Sequence, residues 1–150
     1  NENGYEQYEL SAWTNQQGSL HNLNYWRFGD YLGIGCGAHS KITYLEPFRV
    51  ERIIKHKHPK AYYKALIQSQ VQISENDLLL EFAINHFRIK APICLQSFEM
   101  LTNTPAQKLI SKLSTSITQG YMTHQGNTLT LSPKGFKFHN DLLLAISSDK

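Results

Sequence analysis

The sequence predicts a fold with α/β character in its first half and mostly helical character in its second half. Residues 5–13 and 31–36 alternate in the manner of β-strands, with β-forming residue types at many positions. From residue 74 onward, apolar residues recur at the spacing of α-helices. The predicted class is therefore α/β followed by α, in three parts: strands in 1–46, a connector with a helix in 47–73, and a compact helical domain in 74–150.

Composition and charge narrow the kind of protein. With 41% hydrophobic and 18% charged residues, the 150-residue chain can bury a core and is not compositionally disordered. The formal charge of +3 allows anionic ligands such as carboxylates but is too small for a nucleic-acid-binding surface. Cys36 and Cys94 are too few for a disulfide framework or for an iron–sulfur cluster, and reduced thiols indicate a cytoplasmic location.

The ends of the chain and its apolar runs carry no targeting signal. Residues 1–4 have neither the basic region nor the apolar run of a signal peptide. The apolar runs at residues 78–80 and 142–144 are far too short to span a bilayer, so no integral membrane segment is expected. The chain does not begin with Met and its first strand pattern starts within a few residues, so we expect an excised piece of a longer protein.

Three strands are predicted near the start. Residues 5–13 form one strand with a polar face, which either lines a lumen or belongs to a half-exposed antiparallel pair. A polar loop follows at 14–20, and then strands at 31–36 and 41–45, the last ended by Pro47. The basic, histidine-rich segment 49–60, including His56, Lys57 and His58, is predicted to be a solvated connector that leads into a helix from Pro59 to about Val71.

In residues 74–150 the sequence predicts three helices, a hairpin and a final helix, which is the element order of a winged helix. Ser74 and Asp77 start the first helix, whose stripe of Leu79, Phe82 and Phe87 is core. A short helix is predicted at 95–101. The next helix is predicted to start at Thr104, Pro105 and Gln107 and to stop at Gly120. A hairpin of 121–124 with 128–131 and a final helix that starts at Ser132 and Pro133 complete the prediction.

The stretch from His21 to Ser40 is the strongest candidate for a functional site. It combines a histidine that could bind a metal, the aromatic pair Tyr25 and Trp26, and Arg27, which suits carboxylates. The competing interpretation is that His21 and Asn22 cap a turn and Trp26 packs in the core. The glycines at 33, 35 and 37 remove side chains from one face of a strand, so either a flat ligand or another backbone can approach closely.

Three segments carry a family resemblance: Gly4–Glu9 (GYEQYE), His21–Trp26 (HNLNYW) and Gly33–Ser40 (GIGCGAHS). With them the chain resembles the HemW-like haem chaperones, which are related to HemN, the oxygen-independent coproporphyrinogen III oxidase, among the radical SAM proteins. The resemblance covers the C-terminal part of such a protein. The family's CxxxCxxC cluster motif belongs to an N-terminal region that this chain does not contain.

The resemblance implies a fold and roles for residues. The first part would be the terminal strands of a radical SAM partial (β/α) barrel with a loop bearing HNxxYW, and the last part a winged-helix-like domain. His21 would be the haem iron ligand or its neighbour. The implied haem-binding residues are His21, Asn22, Tyr25, Trp26 and Arg27. The residue types add that Asn22 or Glu9 could orient His21 and that Arg49 or Arg52 could pair with propionates. The residues implied to lie near S-adenosylmethionine are Gly33, Gly35, Gly37, Ala38 and His39.

The resemblance also implies a function. The intact protein would hold a [4Fe–4S] cluster and S-adenosylmethionine, bind haem or a porphyrin, and deliver haem to proteins such as respiratory enzymes. Without the cluster cysteines this chain is not itself an enzyme. One alternative is a coproporphyrinogen III oxidase, and another is a winged-helix module that binds nucleic acid or protein. Nucleic acid is not expected, because the would-be recognition helix carries only Lys108 and Lys112. Peripheral contact with a membrane stays open.

Overall fold

The computed structural model describes residues 4–147, which have the mixed α and β secondary structure that the sequence predicts. Packing divides the chain into two units. Unit 1 joins the residues up to Phe28 to those from Leu79 onward, and unit 2 is the segment Gly29–Leu78 between them. Unit 1 is therefore assembled from two separate stretches of sequence. The predicted division of this chain into residues 1–46, 47–73 and 74–150 stays a prediction.

Unit 1 begins with a hairpin instead of the predicted single strand. Strand β1 (Glu6–Glu9) pairs antiparallel with β2 (Ala12–Thr14). The chain turns between them because the Glu9 carboxylate accepts hydrogen bonds from the backbone N–H (3.0 Å) and the hydroxyl (2.8 Å) of Ser11. Strict alternation fits one strand and a tight hairpin equally well, so the pattern did not reveal this turn.

The HNxxYW segment is a helix, and the prediction of a loop there is wrong. Helix α1 (Leu20–Trp26) begins after Ser19, whose hydroxyl accepts the backbone N–H of Asn22 at 3.4 Å. A serine at the N-cap satisfies one of the free donors of the first turn. The competing idea that His21 and Asn22 themselves cap a turn is also not what the structure has.

Unit 2 contains an antiparallel sheet of three strands in sequence order. Its strands are β3 (His39–Leu45), β4 (Phe48–Lys55) and β5 (Ile67–Gln72), with helix α2 (Pro59–Lys64) between the last two. The third predicted strand and its end at Pro47 are confirmed by β3. The predicted connector 49–60 is wrong in its first half, because that half is the central strand of the sheet.

Cross-strand contacts explain why a charged segment forms a central strand. Tyr44 of β3 lies opposite Arg49 of β4, and the guanidinium stacks 3.7 Å from the tyrosine ring centroid. The Arg49 side chain also pairs with Glu51 at 2.9 Å. The predicted helix to Val71 ends early, since Ala65 is already extended and Ile67 starts β5.

The glycine segment at 31–36 is not a strand. Tyr31 makes an isolated bridge with Lys41, and beyond it the chain turns, with φ of +99° at Gly35 and +70° at Gly37. These angles suit glycine and are incompatible with an extended strand. The alternating pattern of glycines therefore reflects a looped segment.

The second stretch of unit 1 starts within α3 (Glu75–His86), the helix that crosses the boundary between the units. The predicted start is confirmed, because Asp77 donates its backbone N–H to the Ser74 hydroxyl at 3.2 Å. The elements that follow are β6 (Ile93–Cys94), α4 (Leu95–Thr102), α5 (Ala106–Thr118), β7 (Met122–Gln125), β8 (Thr128–Leu131), α6 (Pro133–Lys137) and α7 (His139–Ser147). Their strands form an antiparallel sheet in the order β6-β8-β7.

Two local predictions in this stretch need correction. The cap of α5 is Pro105 and not Thr104, whose hydroxyl donates to the Thr102 carbonyl, while the Ala106 N–H donates to the Glu99 carboxylate at 2.7 Å. The final helix is broken into α6 and α7. Buried apolar side chains from these elements form the core, including the predicted stripe: Leu79, Phe82, Phe87, Phe98, Leu109, Leu113, Met122, Leu129 and Leu142. Across residues 4–147, none of the helices combines the length and the apolar character needed to cross a bilayer.

Candidate functional site

Helix α1 carries four of the five predicted haem-binding residues and is followed by the fifth, Arg27. His21 is exposed, and its ring lies edge-to-face with that of Tyr25 one turn later, with centroids 4.7 Å apart. Asn22 and Trp26, also one turn apart, are partly buried. Of these four side chains only His21 is exposed, because Tyr25 is partly buried like Asn22 and Trp26.

Asn22 joins α1 to the first family segment. Its side-chain amide donates a hydrogen bond to the Tyr8 hydroxyl of β1 at 3.4 Å. Just before the helix, Gly18 lies directly against the Tyr8 ring. A Cβ at this position would be 2.7 Å from the ring, so only glycine allows this close approach. The GYEQYE and HNxxYW segments, separated in the sequence by a loop, thus form one structural unit.

Trp26 is held by Arg88, which the sequence analysis did not single out. The Arg88 guanidinium lies over the Trp26 ring, 4.4 Å from its centroid. The same guanidinium is 3.5 Å from the carboxylate of Glu9, a residue only 3% exposed. The Arg88 carbonyl accepts the backbone N–H of Leu10 at 2.9 Å, so the segment after α3 is itself fixed against the hairpin. We call Glu9, Trp26 and Arg88 the anchor of α1.

The anchor retains unused hydrogen-bonding capacity. Trp26 Nε1 and Arg88 Nε are buried donors without a hydrogen-bond partner among the described residues, and Glu9 Oε2 is a buried acceptor in the same condition. Unsatisfied buried polar atoms are uncommon in folded proteins and tend to mark functional positions. Two such donors, one of them from a guanidinium, suit a carboxylate.

His86, at the end of α3, is half-buried in unit 1. Its ring stacks on Phe82 with centroids 5.2 Å apart. Burial lowers the pKa of His86 to about 4, the nearby Pro92 carbonyl opposes this shift, and the charge of Arg27 adds to it. His86 is therefore neutral near pH 7, and Arg27 lies close enough to act on it electrostatically.

The two side chains predicted to orient His21, Asn22 and Glu9, have other partners. The side chains expected to orient the imidazole bond elsewhere: Asn22 to Tyr8, and Glu9 to Ser11 and Arg88. No cluster of three or more His, Cys, Asp or Glu residues able to hold a metal occurs within 4–147. A haem supplies four of its own iron ligands, so a single exposed imidazole fits it where a protein-built metal centre would need several side chains.

The glycine segment lies in unit 2 and has structural duties there. A Cβ on Gly33 would clash with the His39 carbonyl oxygen, and the Gly33 N–H donates to the Ser40 hydroxyl at 3.0 Å. The Gly37 N–H donates to the His56 carbonyl and the Ala38 carbonyl accepts from Lys55, each at 2.9 Å. These contacts between backbone segments of unit 2 explain why glycine is needed here, and they involve no ligand. The role of this segment near S-adenosylmethionine stays a proposal.

Other candidates in unit 2 also have structural partners. Arg52 donates to the Tyr31 hydroxyl at 3.0 Å, and His58 caps α2 by accepting the Lys60 N–H at 3.3 Å. Lys41, only 1% exposed, pairs with Asp30 at 2.8 Å. Despite the partial burial of Asp30, which would raise the pKa of its carboxyl, hydrogen bonds from Lys41 and Thr43 hold that pKa below its usual value.

The cysteines do not fit an iron–sulfur cluster. Cys36 and Cys94 are free and exposed, and a cluster takes about four protein ligands. Residues 4–147 therefore do not supply a cluster site of their own.

Comparisons with known proteins show which proteins the chain is similar to. Residues 73–138 match the HemN C-terminal domain. The chain is 37% identical over 142 residues to the heme chaperone HemW of Haemophilus influenzae, and equally to that of Escherichia coli, in each case over 93% of this chain and 37% of the relative. It therefore spans little more than a third of the relatives' length. Coproporphyrinogen III oxidase (HemN) from Escherichia coli, described as a radical SAM enzyme, matches in structure with a TM-score of 0.54 and 13% identity, over 94% of this chain and 31% of that one. At that identity the likeness shows the fold alone.

Proposed function

We propose that the chain is part of a haem chaperone and that α1 of unit 1 is its haem-binding helix, because residues 73–138 match the HemN C-terminal domain and the chain is 37% identical to HemW heme chaperones. The observation that carries this is the arrangement of α1: its His21 imidazole is exposed beside Tyr25, while Trp26 is clamped by Arg88. A neutral imidazole on a fixed helix is a suitable axial ligand for haem iron.

Each side chain of α1 has a defined task in this proposal. His21 binds the iron, and the partly buried ring of Tyr25 beside it packs against the porphyrin. Arg27 is exposed at the end of the helix, where its guanidinium is able to pair with a propionate. Asn22 and Trp26 fix the helix through Tyr8 and Arg88 and leave the outer face for the ligand.

The rest of the longer protein is also part of the proposal. S-adenosylmethionine and a [4Fe–4S] cluster would be bound outside these residues, with the segment Gly33–His39 near the former. The strands within residues 1–46 would belong to the partial barrel, and the elements from α3 to α7 would form a winged-helix-like domain. The haem would be handed to haem-requiring proteins, and the free cysteines favour a reducing, cytoplasmic setting.

A nucleic-acid-binding role for the C-terminal elements is not favoured. Of the two lysines on the would-be recognition helix α5, Lys112 donates its ammonium group to the Ile146 carbonyl at 2.9 Å and is half-buried. A phosphate-contacting surface normally needs several free cations. Binding of DNA at low salt by the full chain would overturn this view.

The deciding experiment is a haem titration of the full-length protein, followed by the Soret absorbance. His21→Ala should abolish the spectrum of the bound form, whereas His124→Ala, which removes an exposed histidine of β7, should leave it unchanged. An unchanged spectrum in His21→Ala would remove His21 as the ligand. Turnover of coproporphyrinogen by the full-length protein would instead favour the oxidase alternative.

A further inference from the structure

A cavity of about 280 Å³ opens in unit 1 between two segments that leave the sheet β6-β8-β7 in different directions. One wall is formed by residues 89–91, which precede β6. The other is formed by residues 130–133, at the end of β8 and the start of α6, together with Phe136. Nothing proposed above for α1 makes use of this cavity.

The cavity results from an interrupted strand pairing. Strand β6 pairs with β8 only through Ile93 with Leu129 and Cys94 with Thr128. Before that point the chain turns to the hairpin instead, where the Lys90 N–H approaches the Tyr8 carbonyl at 3.5 Å. Because Ile89 and Lys90 contact the hairpin and residues 130–131 pair with β7, the two segments diverge and leave a wedge between them.

The walls are mainly apolar and carry one cation. Ile89, Leu131 and Phe136 supply most of the apolar lining. The Ser132 hydroxyl is already engaged, since it accepts the Gly135 N–H at 3.0 Å and donates to the Gly120 carbonyl at 2.8 Å. The ammonium group of the exposed Lys90 lies 5.3 Å from the Phe136 ring centroid and has no carboxylate partner among the described residues.

Charge and size define what would fit. No acidic residue lines the cavity within the described part of the chain, and Lys90 is the one charged residue among its lining residues. The volume lies at the small end for ligand sites, which range upward from about 300 Å³, and it is too small for a whole tetrapyrrole. The site favours one compact apolar group with a negative charge at its mouth.

We propose that this cavity binds an aromatic or branched aliphatic group that carries a carboxylate. The apolar group lies between Leu131 and Phe136, and the carboxylate pairs with the Lys90 ammonium group. The same chemistry occurs in a free hydrophobic carboxylic acid and in the terminal residue of a peptide chain. The site is distinct from α1, so it stands whether or not His21 binds haem.

The test is a titration of the full chain, followed by backbone amide NMR, with three probes: 3-phenylpropanoate, its uncharged primary amide, and the peptide Gly-Gly-Phe with a free carboxylate. We expect shifts at residues 89–91 and 130–136, and about tenfold weaker binding of the amide. Lys90→Gln should remove that tenfold preference, whereas Lys64→Gln, at an exposed lysine of α2, should retain it.

The outcomes separate the sources and can refute the site. Tighter binding of Gly-Gly-Phe than of 3-phenylpropanoate supports a peptide terminus, and the reverse supports a free acid. Equal binding of the acid and its amide, or an unchanged preference in Lys90→Gln, overturns the proposal. So does the absence of shifts with all three probes.

Discussion

Replacing Arg88 with methionine tests whether the anchor holds α1 in place. Methionine keeps an unbranched apolar stem beside Trp26 but removes the charge that faces Glu9. Breaking a buried ion pair costs about 3–5 kcal/mol, and because Arg88 is 32% exposed on its side chain we take roughly 2 kcal/mol for this term. Loss of the cation–π contact adds about 1 kcal/mol. The expected loss in the free energy of unfolding is therefore about 3 kcal/mol.

The assay is urea unfolding of the full chain, followed by circular dichroism and by tryptophan fluorescence. Both tryptophans, Trp13 and Trp26, belong to unit 1, so the fluorescence reports on that unit. A lower midpoint with an unchanged slope would identify a change in stability alone. Adding Glu9→Gln to Arg88→Met should recover part of the loss, because the unpaired buried carboxylate is then gone.

Arg49→Met is the matched control. Arg49 also stacks on an aromatic ring, that of Tyr44 at 3.7 Å, and also pairs with a glutamate, Glu51 at 2.9 Å. Glu51 keeps a second partner, the amide of Gln70 at 2.7 Å, so the loss should be smaller than for Arg88. If Arg88→Met costs no more than Arg49→Met, the reasoning about the anchor is refuted.

Three further predictions concern other residues. Burial lowers the pKa of His86 to about 4 from 6.5, so between these pH values the unfolded chain binds more protons than the folded one. The free energy of unfolding should therefore fall by about 3 kcal/mol as the pH drops from 6.5 to 4. In urea titrations at several pH values, His86→Gln should make this pH dependence weaker. Gly33→Ala should cost more than about 2 kcal/mol in urea unfolding, because the new Cβ meets the His39 carbonyl, and a neutral substitution would contradict the clash. Asp30→Asn should lower the free energy of unfolding by roughly 2 kcal/mol at pH 7, because the Lys41 ammonium group loses its carboxylate partner. The measurement is the melting temperature, and an unchanged value would show that the Asp30–Lys41 pair contributes little.

The helices and strands of residues 74–150 were predictable because the residues at their ends favour the same boundaries as the packing does. The Ser74 start of α3 and the stop at Gly120, which has a φ of +75°, are set by caps and backbone angles that the sequence states directly. Thr104 shows the limit of such signals. The Glu99 carboxylate from the preceding helix reaches the N–H of Ala106, and no local pattern specifies that contact.

The first half was predicted less well because its strands depend on pairing. The turn after Glu9 requires its carboxylate to fold back on Ser11, and the central strand β4 is stabilised by Tyr44 across the sheet. Alternation and charge alone do not distinguish these arrangements from a longer strand or a solvated connector. Tertiary context therefore decided the outcome where local propensity was ambiguous.

The motif residues of α1 were recognisable from the sequence, but their support was not. His21 and Trp26 belong to a segment distinctive enough to indicate a family. Arg88 comes two residues after the end of α3 and has no neighbouring signal that would single it out. Only the folded chain brings it over the Trp26 ring and beside Glu9.

The discontinuity of unit 1 has a consequence for the order of events during synthesis. Helix α1 is seven residues long, far below the roughly 12 to 15 residues at which isolated helices become even marginally stable in water. Arg88, the anchor residue that holds Trp26, leaves the ribosome only after all of unit 2 has been made. The motif segment must therefore wait in the nascent chain, without lasting helical structure, until the second stretch of unit 1 emerges. Messages truncated before Arg88 would yield chains in which this helix never becomes fixed.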